Sequence, residues 1–168
     1  MPIMRYEGLK SEKSEKQMKN TWRFNGNEKK YLDEVISGNM ISSTSGNMNQ
    51  RFEKAFAEYA EVKYAVTFNS GTSTLHAALH ACEVHAGEEV IIPPLTVISN
   101  ADVVFAQHAI PVFCDVDQDT WNMSPEKAEA LITEKTKAIM PVSLYGLSAD
   151  LEAFEKISKK YGIPIIND

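Results

Sequence analysis

Two places in this sequence hold residue types at a spacing that can do chemistry. The first is Asn69-Ser70-Gly71-Thr72-Ser73, which lies between a run of β-forming residues and a helical pattern. A turn of small residues at a helix N-terminus presents unpaired backbone N–H groups and the positive end of the helix dipole, a combination suited to a phosphate. Gly71 lets the backbone come close to such a group, and the hydroxyls of Ser70 and Thr72 can add hydrogen bonds. The same residues also describe a Ser/Thr helix cap beside a turn glycine, and taken alone they do not separate the two readings. The second place is Asp168, directly after an apolar run at 163–166. A carboxylate at the carboxyl end of a central strand faces the crevice where open α/β sheets bind ligands, and there it suits a cationic ring nitrogen or a metal. An acidic residue after a strand is also a common turn former.

Other groups carry less. His76 and His80 are four residues apart on one helix face, but no HExxH glutamate lies between them and no third ligand is evident. They read as core or surface histidines rather than metal ligands. Asp115, Asp117 and Asp119 alternate at a strand end without the glycine or closing glutamate of a calcium loop, so they read as a polar turn. Cys82 and Cys114 belong to different elements and form no metal or disulfide pattern. Buried free thiols of this kind fit a reducing cytoplasm.

These residues must be positioned by an alternating framework. Residues 28–37 have a helical pattern stopped by Gly38, and a second helix carries Met48, Phe52, Phe56 and Tyr59 on one apolar face. Residues 64–68, Tyr-Ala-Val-Thr-Phe, read as a strand. Helix 73–84 then leads through Gly87 to strand 89–92, helix 99–107 to strand 110–116, and helix 125–133 to strand 137–142. Helix 149–161 leads through Gly162 to strand 163–166. Short apolar strands joined by helical crossovers predict an α/β fold, a mostly parallel sheet with helices on both faces. The sequence stops at Asn167-Asp168, on the carboxyl side of a buried strand, where a further crossover is expected. The expectation is therefore an interrupted domain.

At 168 residues the chain is long enough for one domain with a sizeable core. Its formal net charge of -6 argues against non-specific nucleic-acid binding. The apolar runs are too short to span a bilayer, and Met1-Pro2-Ile3-Met4-Arg5 lacks the apolar core of a signal peptide. Residues 9–19 alternate acid and base with almost nothing to bury, so residues 1–24 read as a charged, solvated arm. Residues 25–168 form the candidate domain.

Taken together, the residues resemble the opening of the DegT/DnrJ/EryC1/StrS aminotransferases. The resemblance runs in order through Phe52-Glu53-Lys54-Ala55-Phe56-Ala57-Glu58-Tyr59 and Asn69-Ser70-Gly71-Thr72 with Leu75 and Leu79. It continues in Gly87-Glu88-Glu89-Val90-Ile91, Pro94, Thr96, Pro111-Val112-Phe113 and Asp115-Val116-Asp117. Thr136-Lys137-Ala138-Ile139, Pro141-Val142, Tyr145-Gly146, Ala149-Asp150 and Asn167-Asp168 complete it.

This resemblance implies the fold type I (aspartate-aminotransferase-like) large domain of pyridoxal 5'-phosphate (PLP) enzymes, commonly a homodimer. It implies transfer of an amino group, commonly from glutamate, to a keto-sugar carried on a nucleotide. By the same resemblance Gly71 and Thr72, beside Ser70, hold the cofactor phosphate, and Asp168 pairs with the protonated pyridine nitrogen. Val97 takes the place of an aromatic residue stacked on the ring. Two further departures are Asn167, where glutamate is usual, and Ser143, where many members have histidine. The family's Schiff-base lysine has no match among the lysines present, Lys137 and Lys159 included, so no catalytic residue is expected in this chain and the 168 residues alone should not transaminate. Two alternatives stand beside this reading: a sugar dehydratase of the same family, with histidine in place of the lysine, and a truncated, non-catalytic binding module.

Overall fold

The computed structural model describes residues 26–38 and 42–168. The charged arm expected over residues 1–24 lies outside the described residues. The described chain falls into two units, one up to Thr67 and one from Phe68 onward.

In the first unit, α1 (Glu28–Ser37) and α2 (Met48–Tyr59) form where the pattern requires them. An ion pair joins Arg51 to Glu34 at 2.6 Å. Neither helix has a buried residue. Phe52 and Phe56 lie with ring centroids 5.8 Å apart, and both remain largely exposed.

Residues 64–68 correct one expectation, because they form no strand. A β-rich run becomes a strand only where a neighbour completes its ladder, and here the backbone donor is used otherwise. The N–H and Oγ1 of Thr67 donate to Glu53 Oε1 of α2 at 2.9 and 2.8 Å. The backbone and then the hydroxyl hydrogen bond of Thr67 hold the Glu53 carboxyl below its ordinary pKa.

The second unit contains the sheet. Helix α3 (Gly71–Ala81) leads to β1 (Glu89–Ile92), α4 (Ser99–Ala106) to β2 (Ile110–Phe113), and α5 (Pro125–Ala130) to β3 (Thr136–Ile139). A 3-10 turn, Leu144–Gly146, precedes α6 (Leu151–Tyr161). The strands are parallel in the order β2-β1-β3. Val90 aligns with Pro111 on one side and Ala138 on the other. Proline is tolerated in β2, an edge strand among the described residues. A register shift beside Val90 makes Lys137 an extra residue of β3, and it reaches out to Glu88 at 3.5 Å.

The expected fourth strand, 163–166, contributes a single bridge, Ile139 to Ile165. Its backbone nevertheless follows β3: Ile166 N–H donates to Ile139 O, and Asp168 N–H to Pro141 O.

Both faces of the sheet are covered, as a period of two demands. Val90, Ile92, Ala138 and Met140 pack on one face with Leu75 and Leu79 of α3 and Val103 and Val104 of α4. Ile91 and Ile139 pack on the other with Ala128 of α5 and Phe154 and Ile157 of α6.

Helix ends follow local chemistry. Ser70, Ser124 and Asp150 cap α3, α5 and α6 by accepting the N–H three residues on. Gly162 closes α6 in the left-handed conformation at φ 71°. Helices α2, α3 and α4 close the same way with Glu61, Glu83 and His108, each at φ between 54° and 56°. In each, the next N–H reaches back five residues, as from Val84 to Leu79 O at 3.2 Å.

Candidate active site

The sheet dictates where a ligand can sit. Each strand of a parallel sheet ends at the same edge, and the loops leaving that edge line the crevice. Four segments of this unit meet the criterion: residues 93–98 after β1, 114–124 after β2, 140–148 after β3, and Asn167-Asp168. Helix α3 runs into β1 through the short turn at 82–88, so its N-terminus, Ser70-Gly71-Thr72, returns to that edge too. The segments carrying Gly71, Thr72, Val97 and Asp168 therefore belong to one edge of one unit.

At the start of α3 the two readings of the small-residue turn are both realised, by different residues. Ser70 is the cap: its Oγ accepts the Ser73 N–H at 3.1 Å and donates to Ser73 Oγ at 2.9 Å. Its hydroxyl is thus engaged within the first turn of the helix. Gly71 and Thr72 are left exposed in the first turn, where N–H groups have no intrahelical acceptor. A Cβ built on Gly71 would meet nothing within 4 Å, and its φ is not left-handed. Gly71 is therefore not required by backbone geometry; what its missing side chain provides is open space in front of two free donors. That space and those donors fit a phosphate.

Asp168 is fixed by its backbone. Its N–H donates to Pro141 O at 3.0 Å, and its carbonyl accepts the Ser143 N–H at 2.9 Å. Ser143 and Asn167 pair with one another: Ser143 Oγ donates to Asn167 Oδ1 at 3.1 Å and accepts the Ala149 N–H at 3.2 Å. These two polar residues thus form a clip beside Asp168, whose exposed carboxylate is turned toward solvent at the edge.

Val97 is 69% exposed on the loop after β1. It lines an open hollow with Pro94, Ala101 and Phe113. The loop is held by Asn100, fully buried in α4, whose Oδ1 accepts the Thr96 hydroxyl at 3.2 Å while its amide donates to Met140 Sδ at 3.3 Å. Asn100 was not among the residues singled out by sequence. A second such residue is Asn122, whose amide donates to the carbonyls of Leu147 and Ser148, both at 3.1 Å, and whose Oδ1 accepts the Leu144 N–H at 3.0 Å. Asn122 ties the loop after β2 to the loop after β3. An asparagine in a polar stretch carries no pattern that marks it as buried.

The remaining sequence candidates are accounted for by the fold. Asp117 Oδ1 accepts from the N–H and the hydroxyl of Thr120 and from the Asp119 N–H. Those bonds, Thr120's backbone first, hold its carboxyl below the ordinary range. This is the polar turn expected of Asp115, Asp117 and Asp119. His76 and His80 are exposed on α3. Among the described residues, no group of three or more His, Cys, Asp or Glu is disposed to hold a metal, and no helix is long and apolar enough to cross a membrane. Cys114 is buried; burial, with the Asp115 charge second, pushes its thiol up to about 11. Cys82 is half-buried, and its thiol is raised by burial.

A parallel sheet packed on both faces by helices is part of the large domain of fold type I PLP-dependent transferases. The chain belongs to the DegT/DnrJ/EryC1/StrS aminotransferase family, which it matches over residues 23–168. It is 44% identical over 146 residues to GDP-perosamine synthase of Caulobacter vibrioides, covering 87% of this chain and 39% of that protein. It is 46% identical over 119 residues to L-glutamine:2-deoxy-scyllo-inosose aminotransferase of Streptomyces fradiae, covering 71% of this chain and 28% of that protein. The crystal structure of NtdA from Bacillus subtilis, with bound cofactor PMP, superposes with a TM-score of 0.78 at 30% identity, over 82% of this chain and 31% of that one. The chain thus spans well under half the length of the curated relatives it matches.

Proposed function

We propose that this chain supplies the phosphate and ring-nitrogen side of the PLP site in an aminotransferase acting on a nucleotide-linked keto-sugar, with an amino acid such as glutamate as donor. The observation that carries the proposal is the pairing of the Gly71-Thr72 opening with Asp168 at one sheet edge. Two curated relatives named for perosamine synthesis and inosose amination support the sugar substrate.

In this reading the first-turn N–H groups of Gly71 and Thr72, with the Thr72 hydroxyl, bind the cofactor phosphate. Val97 would cover one face of the ring through dispersion alone, more weakly than a stacked aromatic residue. The Asp168 carboxylate keeps the ring nitrogen protonated. Bound there, the cofactor would supply an electron sink for loss of the substrate's α-proton. Ser143 and Asn167 keep the Asp168 backbone in register with the loop after β3.

The covalent and proton-shuttling lysine of such an enzyme has no match among the paired lysines of the sheet unit. Lys137 is tied to Glu88, Lys159 to Glu155, and Lys160 to Glu129. Lys127, in the loop-proximal helix α5, is paired with Asp115 at 3.7 Å. The 168 residues by themselves are therefore proposed to bind the cofactor without completing transfer. In the complete protein the arrangement is proposed to work as a homodimer in the cytoplasm.

Equilibrium dialysis of PLP against the chain tests the reading. Reversible binding is expected, competed by inorganic phosphate and weakened about tenfold by Gly71→Val, which fills the opening. Binding that Gly71→Val and Asp168→Asn both leave unchanged would overturn it.

A further inference from the structure

Five non-glycine residues among those described have left-handed backbone: Glu61, Glu83, His108, Trp121 and Tyr145. The first three close helices, so their conformation is explained by capping. Trp121 at φ 60° and Tyr145 at φ 53° close no α-helix. A bulky residue pays a steric cost in this region and persists there only when its surroundings impose it. Trp121 closes the Asp117 turn, its N–H donating to Asp117 O at 2.9 Å, and the next residue, Asn122, grips Leu144, Leu147 and Ser148 around Tyr145. Its backbone adds a bond from the Asp117 N–H to Asn122 O at 2.9 Å.

This frame holds two aromatic rings out of the protein. Trp121 is 52% exposed and Tyr145 82%, yet they meet edge to face with centroids 6.2 Å apart and planes at 63°. Aromatic rings left to the hydrophobic effect alone would turn inward. The corner they form also lies on the ligand edge of the sheet. The N–H of Ser143, two residues before Tyr145, donates to the Asp168 carbonyl at 2.9 Å.

We propose that Trp121 and Tyr145 form the platform for the hexose ring of the sugar substrate, a site that deepens the functional reading above and rests on it. A pyranose presents an apolar C–H face to one ring and its edge to the other, which an edge-to-face corner accommodates. A flat nucleobase is better served by a parallel slot. Charge points the same way. Asp115, Asp117 and Asp119 lie just before Trp121 in sequence, with Lys127 paired to Asp115. Although Lys127 offsets the charge of Asp115, the net charge of this loop disfavours a diphosphate beside Trp121. The neutral ring therefore stacks at the corner and the diphosphate lies away from it.

Tryptophan emission of the intact protein tests this without cofactor or turnover. The chain has two tryptophans, so Trp22→Phe leaves Trp121 as its reporter. GDP-mannose, dTDP-glucose and UDP-N-acetylglucosamine serve as probes, with GDP, dTDP and UDP as sugar-free controls. At least one nucleotide sugar is expected to shift the emission saturably, and at least about fivefold more tightly than its sugar-free control. Tyr145→Gly should weaken that binding about fivefold while leaving Tm unchanged or raised, because glycine relieves the left-handed backbone. The proposal is overturned if no nucleotide sugar binds saturably, if the free nucleotides bind as tightly, or if Tyr145→Gly leaves the affinity unchanged. Sugar binding of the expected kind in a full-length enzyme that transfers no amino group would sink the functional reading and leave the platform standing.

Discussion

Helix α2 and helix α6 have the same kind of sequence and opposite fates. Both are amphipathic, with apolar residues at helical spacing on one face. Helix α6 buries Phe154 and Ile157 under the sheet, whereas α2 buries nothing, and Phe52, Phe56 and Tyr59 stay exposed. Periodicity states that a face exists; it does not state what covers it. The sheet unit closes because β1 presents alternate residues to two layers of helices, so each apolar face of α3 to α6 meets one. Helices α1 and α2 have each other and an ion pair at their surface. Side-chain truncation therefore has very different effects in the two units.

The largest contrast is expected between two phenylalanines. Phe154→Ala empties a fully buried position and should cost about 3–5 kcal/mol in urea unfolding. Phe52→Ala, at a residue 58% exposed, should cost less than about 1 kcal/mol. Equal effects would mean that α2 is covered as well as α6, and the comparison would fail.

A middle effect tests the ligand edge. Asn122→Ala strands two carbonyls and an N–H beneath the loops, and should cost about 1–3 kcal/mol. Faster proteolysis within residues 144–148 should accompany it. A loss below about 0.5 kcal/mol would show the two loops to be independent.

What the sequence made legible follows from the same distinction. Strands β1 to β3 and the helices between them were readable because each was an apolar run with a local stop signal, such as Pro125 or Gly162. Their ends were overextended by one to three residues, as at β2, which finishes at Phe113 rather than residue 116. Residues 64–68 misled because strand character needs a partner, and the Thr67 donor is taken by Glu53. At the edge, Gly71, Thr72 and Asp168 stood out by type and position, Val97 only through the family resemblance, and the fold brings their segments to one side. The buried roles of Asn100 and Asn122 were invisible, since they depend on contacts 40 and 22 to 26 residues away. So was the left-handed backbone of Trp121 and Tyr145, which no glycine announces.

A smaller effect comes from acid. Asp117 has its pKa held below the ordinary 3.8 by the Thr120 bonds and the Asp119 N–H. A depressed carboxyl contributes stability that is present above its unfolded value and is lost as pH falls through the folded one. From about pH 5 downward the wild-type urea midpoint should therefore fall more steeply than that of Asp117→Asn, which has no charge to lose. Parallel curves would mean that the turn, and with it the loop carrying Trp121, is not held by that carboxylate.

The finest test compares the two faces of the sheet without disturbing either. Cys82 lies half-buried at the end of α3, beside the face that α3 and α4 cover, while Cys114 is buried against the face that α5 and α6 cover. A thiol reacts as its thiolate, and burial raises both, Cys114 to about 11. In native protein at neutral pH, a disulfide reagent should therefore modify Cys82 first and leave Cys114 untouched until urea opens the fold. Phe154→Ala should bring the Cys114 reaction forward, since Phe154 and Cys114 share one cluster, while leaving the Cys82 rate unchanged. If Phe52→Ala hastened Cys114 as much, α2 would have to stabilise a core in which it buries no residue.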